Sequence, residues 1–174
     1  MPTTPTTPAP LSPAPRTAHT RLPARHDLGL LALAVSDDIA WRRTVRFDPA
    51  ERWFTRVAAT SSYEAWLLSW LPGQGTGPHD HGGSAGAFLV LQGELEEAGY
   101  ATTPGRSTAT ATRRLGTGSV RRFGAQHVHD VRAVGDVPAV SLHVYAPALT
   151  RMTRYAWDGD RLVVRATEAA GADW

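Results

Sequence analysis

Gly73-Gln-Gly-Thr-Gly-Pro-His79-Asp-His81-Gly-Gly-Ser-Ala-Gly86-Ala-Phe-Leu-Val-Leu-Gln-Gly93 is the stretch on which the reading of this chain turns. Two histidines stand two apart, after a Pro/Gly-rich turn and before the apolar run Ala87 to Leu91. In a strand, residues two apart project from one face, so His79 and His81 can aim both imidazoles at one point. In a helix the pair would diverge by roughly 200°, and Pro78, Gly82 and Gly83 exclude a helix in any case. Two converging neutral imidazoles are half of a metal site. The plainer alternative is a surface pair beside a turn.

Composition narrows what such a site can be. The chain has 174 residues, enough for one domain with a substantial core, and no cysteine. Disulfides, thiolate metal sites and a cysteine nucleophile are therefore excluded. A transition metal must be held by His, Asp, Glu or water, and there are seven histidines: 19, 26, 79, 81, 127, 129 and 143. All 18 non-histidine basic residues are arginine, and the net charge of +2 is too small to argue for nucleic acid. No stretch approaches the ~20 apolar residues of a membrane span.

Residues 1–25 hold seven of the thirteen prolines, six threonines, three arginines and no acid. Little there can be buried, so the segment reads as a disordered arm. Removing its +3 from the chain's +2 leaves the remainder, residues 26–167 as the domain plus a loose tail at 168–174, at −1. Trp174 alone in that tail is apolar enough to dock. Leu28 to Val35 is apolar but is preceded by Asp27, broken by Gly29 and followed by Ser36-Asp37-Asp38, with no small-x-small cleavage site. It reads as a helix N-capped by Asp27, with Leu28, Leu31, Val35 and Ile39 on one face, covering a barrel end.

From Trp53 the chain turns to β. Strands are expected over Trp53–Ala58, Tyr63–Leu71, Ala87–Gly99, Thr108–Arg114, Ser119–Phe123, His127–Val134, Ala139–Ala146 and Leu162–Ala166. Many short strands with Gly/Pro turns and one early helix predict an all-β sandwich or barrel.

The spacing Gly73, five residues, His79-x-His81, four residues, Gly86, six residues, Gly93 resembles the first motif of the cupin family, with Gly86 where that motif usually carries a glutamate ligand. Together with Pro138-Ala-Val-Ser141-Leu-His143-Val-Tyr145-Ala-Pro147 it resembles bacterial cysteine dioxygenase of type I, across Trp53 to Pro147. The resemblance implies a cupin (jelly-roll-like) β-barrel holding Fe(II) on His79, His81 and a third histidine. That third ligand is His129, standing fourteen residues before His143 where the family has about fifteen. His127, on the same strand face at a spacing of sixteen, stays open as the rival. Three imidazoles bring no negative charge, so an anionic thiolate is a favourable further ligand on a dication. Zinc, nickel or manganese would also bind three histidines, but iron is the redox-capable choice.

Ser141, His143 and Tyr145 alternate with Val140, Leu142 and Val144, giving one polar and one apolar strand face. By resemblance Tyr145 brings its hydroxyl to the substrate, and His143 and Ser141 form a relay that fixes it. A solvated polar face is the competing reading. In mammalian relatives this tyrosine is thioether-linked to a cysteine that corresponds to Gly86, a link this cysteine-free chain cannot form. Arg56 aligns with the arginine that grips the substrate carboxylate, a task suited to a guanidinium fork. Phe54 stands where many relatives have tyrosine. Trp66 and Trp70 read as core or rim aromatics.

The resemblance implies oxidation of L-cysteine to cysteine sulfinate with O2. The alternatives are a dioxygenase of another small thiol such as 3-mercaptopropionate, or a non-catalytic metal-binding cupin. Further expectations are a cytoplasmic monomer acting on a small thiol and O2, without nucleic-acid or membrane partners.

Overall fold

The structure, a computed structural model, describes residues 27–171 apart from Pro104. The expected arm, Trp174 and two of the seven histidines, His19 and His26, lie outside the described residues. Two short helices precede the strands: α1 (Leu28–Asp38) and α2 (Trp41–Thr44). Then come β1 (Phe54–Ala59), β2 (Glu64–Trp70), β3 (His79–Asp80), β4 (Ala85–Gln92), β5 (Glu94–Thr103) and β6 (Arg106–Gly116). The chain continues with β7 (Val120–Phe123), β8 (Val128–Ala133), β9 (Ala139–Ala146), β10 (Arg151–Asp158) and β11 (Arg161–Ala169).

All pairings are antiparallel and form two sheets, in the orders β1-β2-β9-β4-β7 and β11-β10-β3-β8-β5-β6. Their facing sides enclose the larger core cluster, in which Trp66, Leu68, Trp70, Phe88, Phe123, Tyr145 and Met152 pack together. Period-two alternation along β9 sends Ser141, His143 and Tyr145 to this interior while Leu142 and Val144 join a second cluster on the outer face.

That outer face is where α1 lies. Asp27 caps it, its Oδ1 accepting from the backbone N–H of Gly29 (3.0 Å) and Leu30 (3.2 Å). Ala32 and Val35 pack with Ala65, Leu89, Leu142 and Val144, and Leu28, Leu31 and Ile39 flank them. The expected helix face is therefore present, but it covers the outside of the first sheet rather than a barrel end. Amphipathic spacing names a face, not the surface it meets.

Several strand expectations are corrected. Ala87–Gly99 is two strands, split at Gly93, whose backbone turns at φ 73°. A Cβ there would lie 2.8 Å from Ala139 Cα, so only glycine fits the turn. β10 was not anticipated, because its two arginines and its run of half-buried positions without alternation mask it. β11 extends to Ala169 and Ala170 packs against the core, so residues 168–170 of the expected tail belong to the fold, while residues 172–174 lie outside the described residues.

Candidate active site

β3 is only two residues long, bounded by Pro78 and by the positive-φ pair Gly82 and Gly83, yet it lies centrally in its sheet. His79 pairs directly with His129 of β8 on one side and with Arg154 of β10 on the other. His81 follows just beyond the strand. The three imidazoles meet inside the barrel, with ring centroids 5.0 Å (His79–His81), 4.6 Å (His79–His129) and 5.0 Å (His81–His129) apart. One ring nitrogen from each lies within 4.8 Å of the others.

All three are buried, and burial, reinforced by their neighbours, pushes His79 and His81 well below the usual imidazole range. His129 is lowered too, chiefly by burial, with Glu97 pulling the other way. They are therefore neutral donors at neutral pH. His79 Nδ1 bonds the Gly77 carbonyl (3.0 Å) and His129 Nδ1 bonds Glu97 (2.8 Å), which leaves Nε2 of each as a lone pair. Among the described residues, His81 has no hydrogen-bond partner on either ring nitrogen. A buried polar group left so costs about 1–3 kcal/mol. A cation between the three rings would take the lone pair of one of the two His81 nitrogens, so the residues fit a divalent transition metal.

No carboxylate belongs to this triad. At Gly86, the expected place for one, a Cβ would lie 2.4 Å from Phe123 Cζ and 3.0 Å from Tyr145 Cδ1. The Phe123 ring fills that space and stacks on His81 at 4.8 Å and 24°. Packing against Phe123 thus orients the one imidazole of the triad that hydrogen bonds do not.

Ser141, His143 and Tyr145 are buried, which rules out a solvated strand face. Trp70 Nε1 donates to Ser141 Oγ (2.9 Å), Ser141 Oγ bonds His143 Nε2 (2.9 Å), and His143 Nδ1 bonds the Tyr145 hydroxyl (3.2 Å). An indole can only donate, and buried hydrogen-bonded chains favour one direction. Ser141 then donates to His143, His143 to Tyr145, and the phenol O–H becomes the donor at the end of the chain. Burial, with His129 and Arg52 adding to it, lowers His143 to about 3, so this imidazole stays neutral. Burial and the Glu64 charge raise Tyr145, keeping it protonated. The Tyr145 ring lies 5.0 Å from that of His81, beside the triad. Trp70, read from the sequence as a packing residue, is thus also the head of this chain.

The model of the cysteine dioxygenase type I family matches residues 24–158. The chain belongs to the cysteine dioxygenase type I family. No curated protein matches it in sequence. Among solved structures it is similar to TT1209 from Thermus thermophilus, with TM-score 0.54 and 26% identity over 63% of this chain and 96% of that one. An RmlC-like cupin protein from Desulfovibrio desulfuricans gives 0.50 and 26%, over 60% and 91%. A double-stranded β-helix protein from Klebsiella pneumoniae gives 0.54 and 21%, over 63% and 83%. The architecture is that of a cupin, as expected.

Within this cysteine dioxygenase family member, Arg56 is on the interior face by register, opposite Trp66, but at the rim: its side chain is 55% exposed. Its guanidinium lies over the Trp66 ring (5.6 Å) and 3.5 Å from Glu64, a buried carboxylate that also accepts from the Leu149 N–H (3.0 Å). Arg52, unremarked in the sequence, is the deeper cation: 9% exposed and 5.0 Å over the Trp70 ring.

His127 does not join the triad. It is 19% exposed, stacks on the side of Phe123 and bonds Glu97 through Nε2 (2.9 Å). Glu97 is the main residue that sequence reasoning missed. Burial alone would raise its carboxyl, but hydrogen bonds from His127, His129 and Arg121 hold it well below the usual range. Its signal was present: Leu95, Glu97 and Gly99 are the inward positions of β5, and a charge at an inward position demands partners.

Proposed function

We propose that this protein is an Fe(II)-dependent thiol dioxygenase that converts L-cysteine to cysteine sulfinate with O2. The observation that carries the reading is a buried set of three neutral nitrogen donors, free of carboxylate, beside a directed hydrogen-bond chain that ends on a phenol. His79, His81 and His129 would hold the metal. Ferrous iron, when bound, supplies the Lewis-acidic and one-electron chemistry that couples a thiolate to dioxygen.

The chain's own residues bind, orient and exclude water. A neutral triad leaves the full charge of a dication for an anionic sulfur. Arg56 grips the carboxylate at the rim, which orients the thiol end toward the interior. Tyr145, kept protonated by burial, donates toward the reacting atoms, and His143 and Ser141 hold its hydroxyl in place. Sulfur gives the four electrons that dioxygen takes, and both oxygen atoms end on sulfur, so no external reductant enters.

The test is oxygen uptake by iron-reconstituted protein with L-cysteine and with 3-mercaptopropionate, with the product identified by mass. Uptake with cysteine and a gain of two oxygen atoms supports the reading. Equal rates on both thiols would replace cysteine with a broader thiol class. Absence of uptake with any thiol would leave a non-catalytic metal-binding cupin.

A further inference from the structure

Glu97 enters the interior from β5, the strand that pairs with β8 and hence with the backbone of His129. One oxygen, Oε1, bonds both His129 Nδ1 (2.8 Å) and His127 Nε2 (2.9 Å); Arg121 Nε donates to the other. A neutral imidazole carries a single N–H. An acceptor on Nδ1 fixes that N–H there and turns the Nε2 lone pair toward His79 and His81. Without it, the ring is free to place its N–H on Nε2, where it would face the cation. His127 on the same oxygen and Arg121 on the other in turn fix where the carboxylate sits.

We propose that Glu97 is a positioning residue for the metal centre: its carboxylate, braced by His127 and Arg121, locks His129 in the tautomer and orientation that present Nε2 to the cation. The inference rests on the triad being a metal site and is independent of which thiol is oxidised. Glu97, His127 and His129 also lie close enough to hold an ion of their own. The Arg121 guanidinium on the same carboxylate disfavours that, because it already supplies the positive charge an ion would bring.

The experiment uses the full metal-free chain with Glu97→Gln, which keeps the side-chain shape but weakens the acceptor. Co(II) and Fe(II) affinities are measured by chelator competition, and histidine tautomers by long-range proton–nitrogen NMR before metal is added. The expected result is about 10–100-fold weaker binding, with the His129 signal moving from the Nδ1–H form toward a mixture. Unchanged affinity and tautomer would overturn the proposal. So would a second metal equivalent in the wild type that Glu97→Gln removes while the first stays as tight. If Glu97→Gln does not fold, Arg121→Gln loosens the same carboxylate from outside: weaker binding supports the proposal and unchanged binding overturns it. Neither readout uses substrate, so a protein that binds metal as expected yet oxidises no thiol would sink the proposed function and leave this inference standing.

Discussion

The Cβ that Gly86 lacks would stand 2.4 Å from Cζ of Phe123, the ring that stacks on His81. The two residues are register partners on β4 and β7, so neither can retreat without moving the sheet. Gly86→Ala is therefore expected to destabilise the protein by about 1–3 kcal/mol, as overpacking does in a filled core. It should also weaken metal binding by disturbing His81. Phe123→Leu removes the colliding ring tip, so the double variant should recover more stability than the single changes predict by addition. Denaturant titrations of the wild type and three variants check this; a wild-type midpoint for Gly86→Ala would show that the ring yields freely.

Tyr145→Phe removes only the hydroxyl at the end of the Trp70–Ser141–His143 chain. Turnover should fall about 10²-fold or more, the scale of a lost proton donor, while bound metal per chain stays the same. Ser141→Ala breaks the chain upstream and strands Trp70 Nε1 and His143 Nε2, at a cost of about 1–3 kcal/mol in stability. Its turnover should fall less than that of Tyr145→Phe, because the phenol remains. Single-turnover rates and metal analysis on the two variants separate these effects; equal losses of metal would make the chain a scaffold instead.

The residues legible beforehand share a property: each announces itself by short spacing. His79-x-His81 and Ser141-x-His143-x-Tyr145 need only the two-residue period of a strand to put their side chains on one face, and the structure places them so. His129 was separable from His127 only through resemblance, since both lie on one face. The pairing of His79 with His129 decides between them, and that contact joins residues about fifty apart in the chain. Phe123, Glu97 and Arg121 were hidden for the same reason. Their meaning lies in which strand is next to which, with β7 beside β4 and β5 beside β8, and no local pattern carries that.

Arg56 and Arg52 make distinguishable predictions. Arg56 is at the rim, paired with Glu64, while Arg52 is buried over Trp70. If Arg56 holds the substrate carboxylate, Arg56→Gln removes a charge-assisted bond of about 1.5–3 kcal/mol and raises KM for cysteine about 10–100-fold. KM for cysteamine, which has no carboxylate, should not move. Arg52→Gln should instead lower stability, through its lost packing on the indole. Steady-state kinetics with both thiols check the pair, and a cysteine-specific KM effect in Arg52→Gln alone would transfer the anchor to the deeper arginine.

Acid should unfold the metal-free protein earlier than carboxylate titration would. His143 is held at about 3 when folded, chiefly by burial, against 6.5 for an ordinary imidazole, and burial lowers His79 and His81 as well. Below pH 6.5 the unfolded chain therefore binds protons that the folded chain refuses, so stability is complete above pH 6.5 and falls as pH drops toward the folded values. With its folded value at about 3, His143 contributes a slope of about 1.4 kcal/mol per pH unit below the unfolded value, so it alone accounts for about 2 kcal/mol between pH 6.5 and 5. Glu97 is shifted in the opposite sense: its stabilisation is present above about its ordinary value of 4.5 and is lost only below it. The interval from 6.5 to 5 consequently reports the histidines. Urea titrations of the chelator-treated protein at the two pH values should show the loss, and His143→Gln should reduce the slope by one histidine's share. Bound metal should raise stability at both pH values without flattening the slope, since the folded chain's His79 and His81 already refuse protons there and the cation keeps them unprotonated. A metal-free protein equally stable at both pH values would mean that these imidazoles accept protons when folded, and that the interior is wetter than its burial implies.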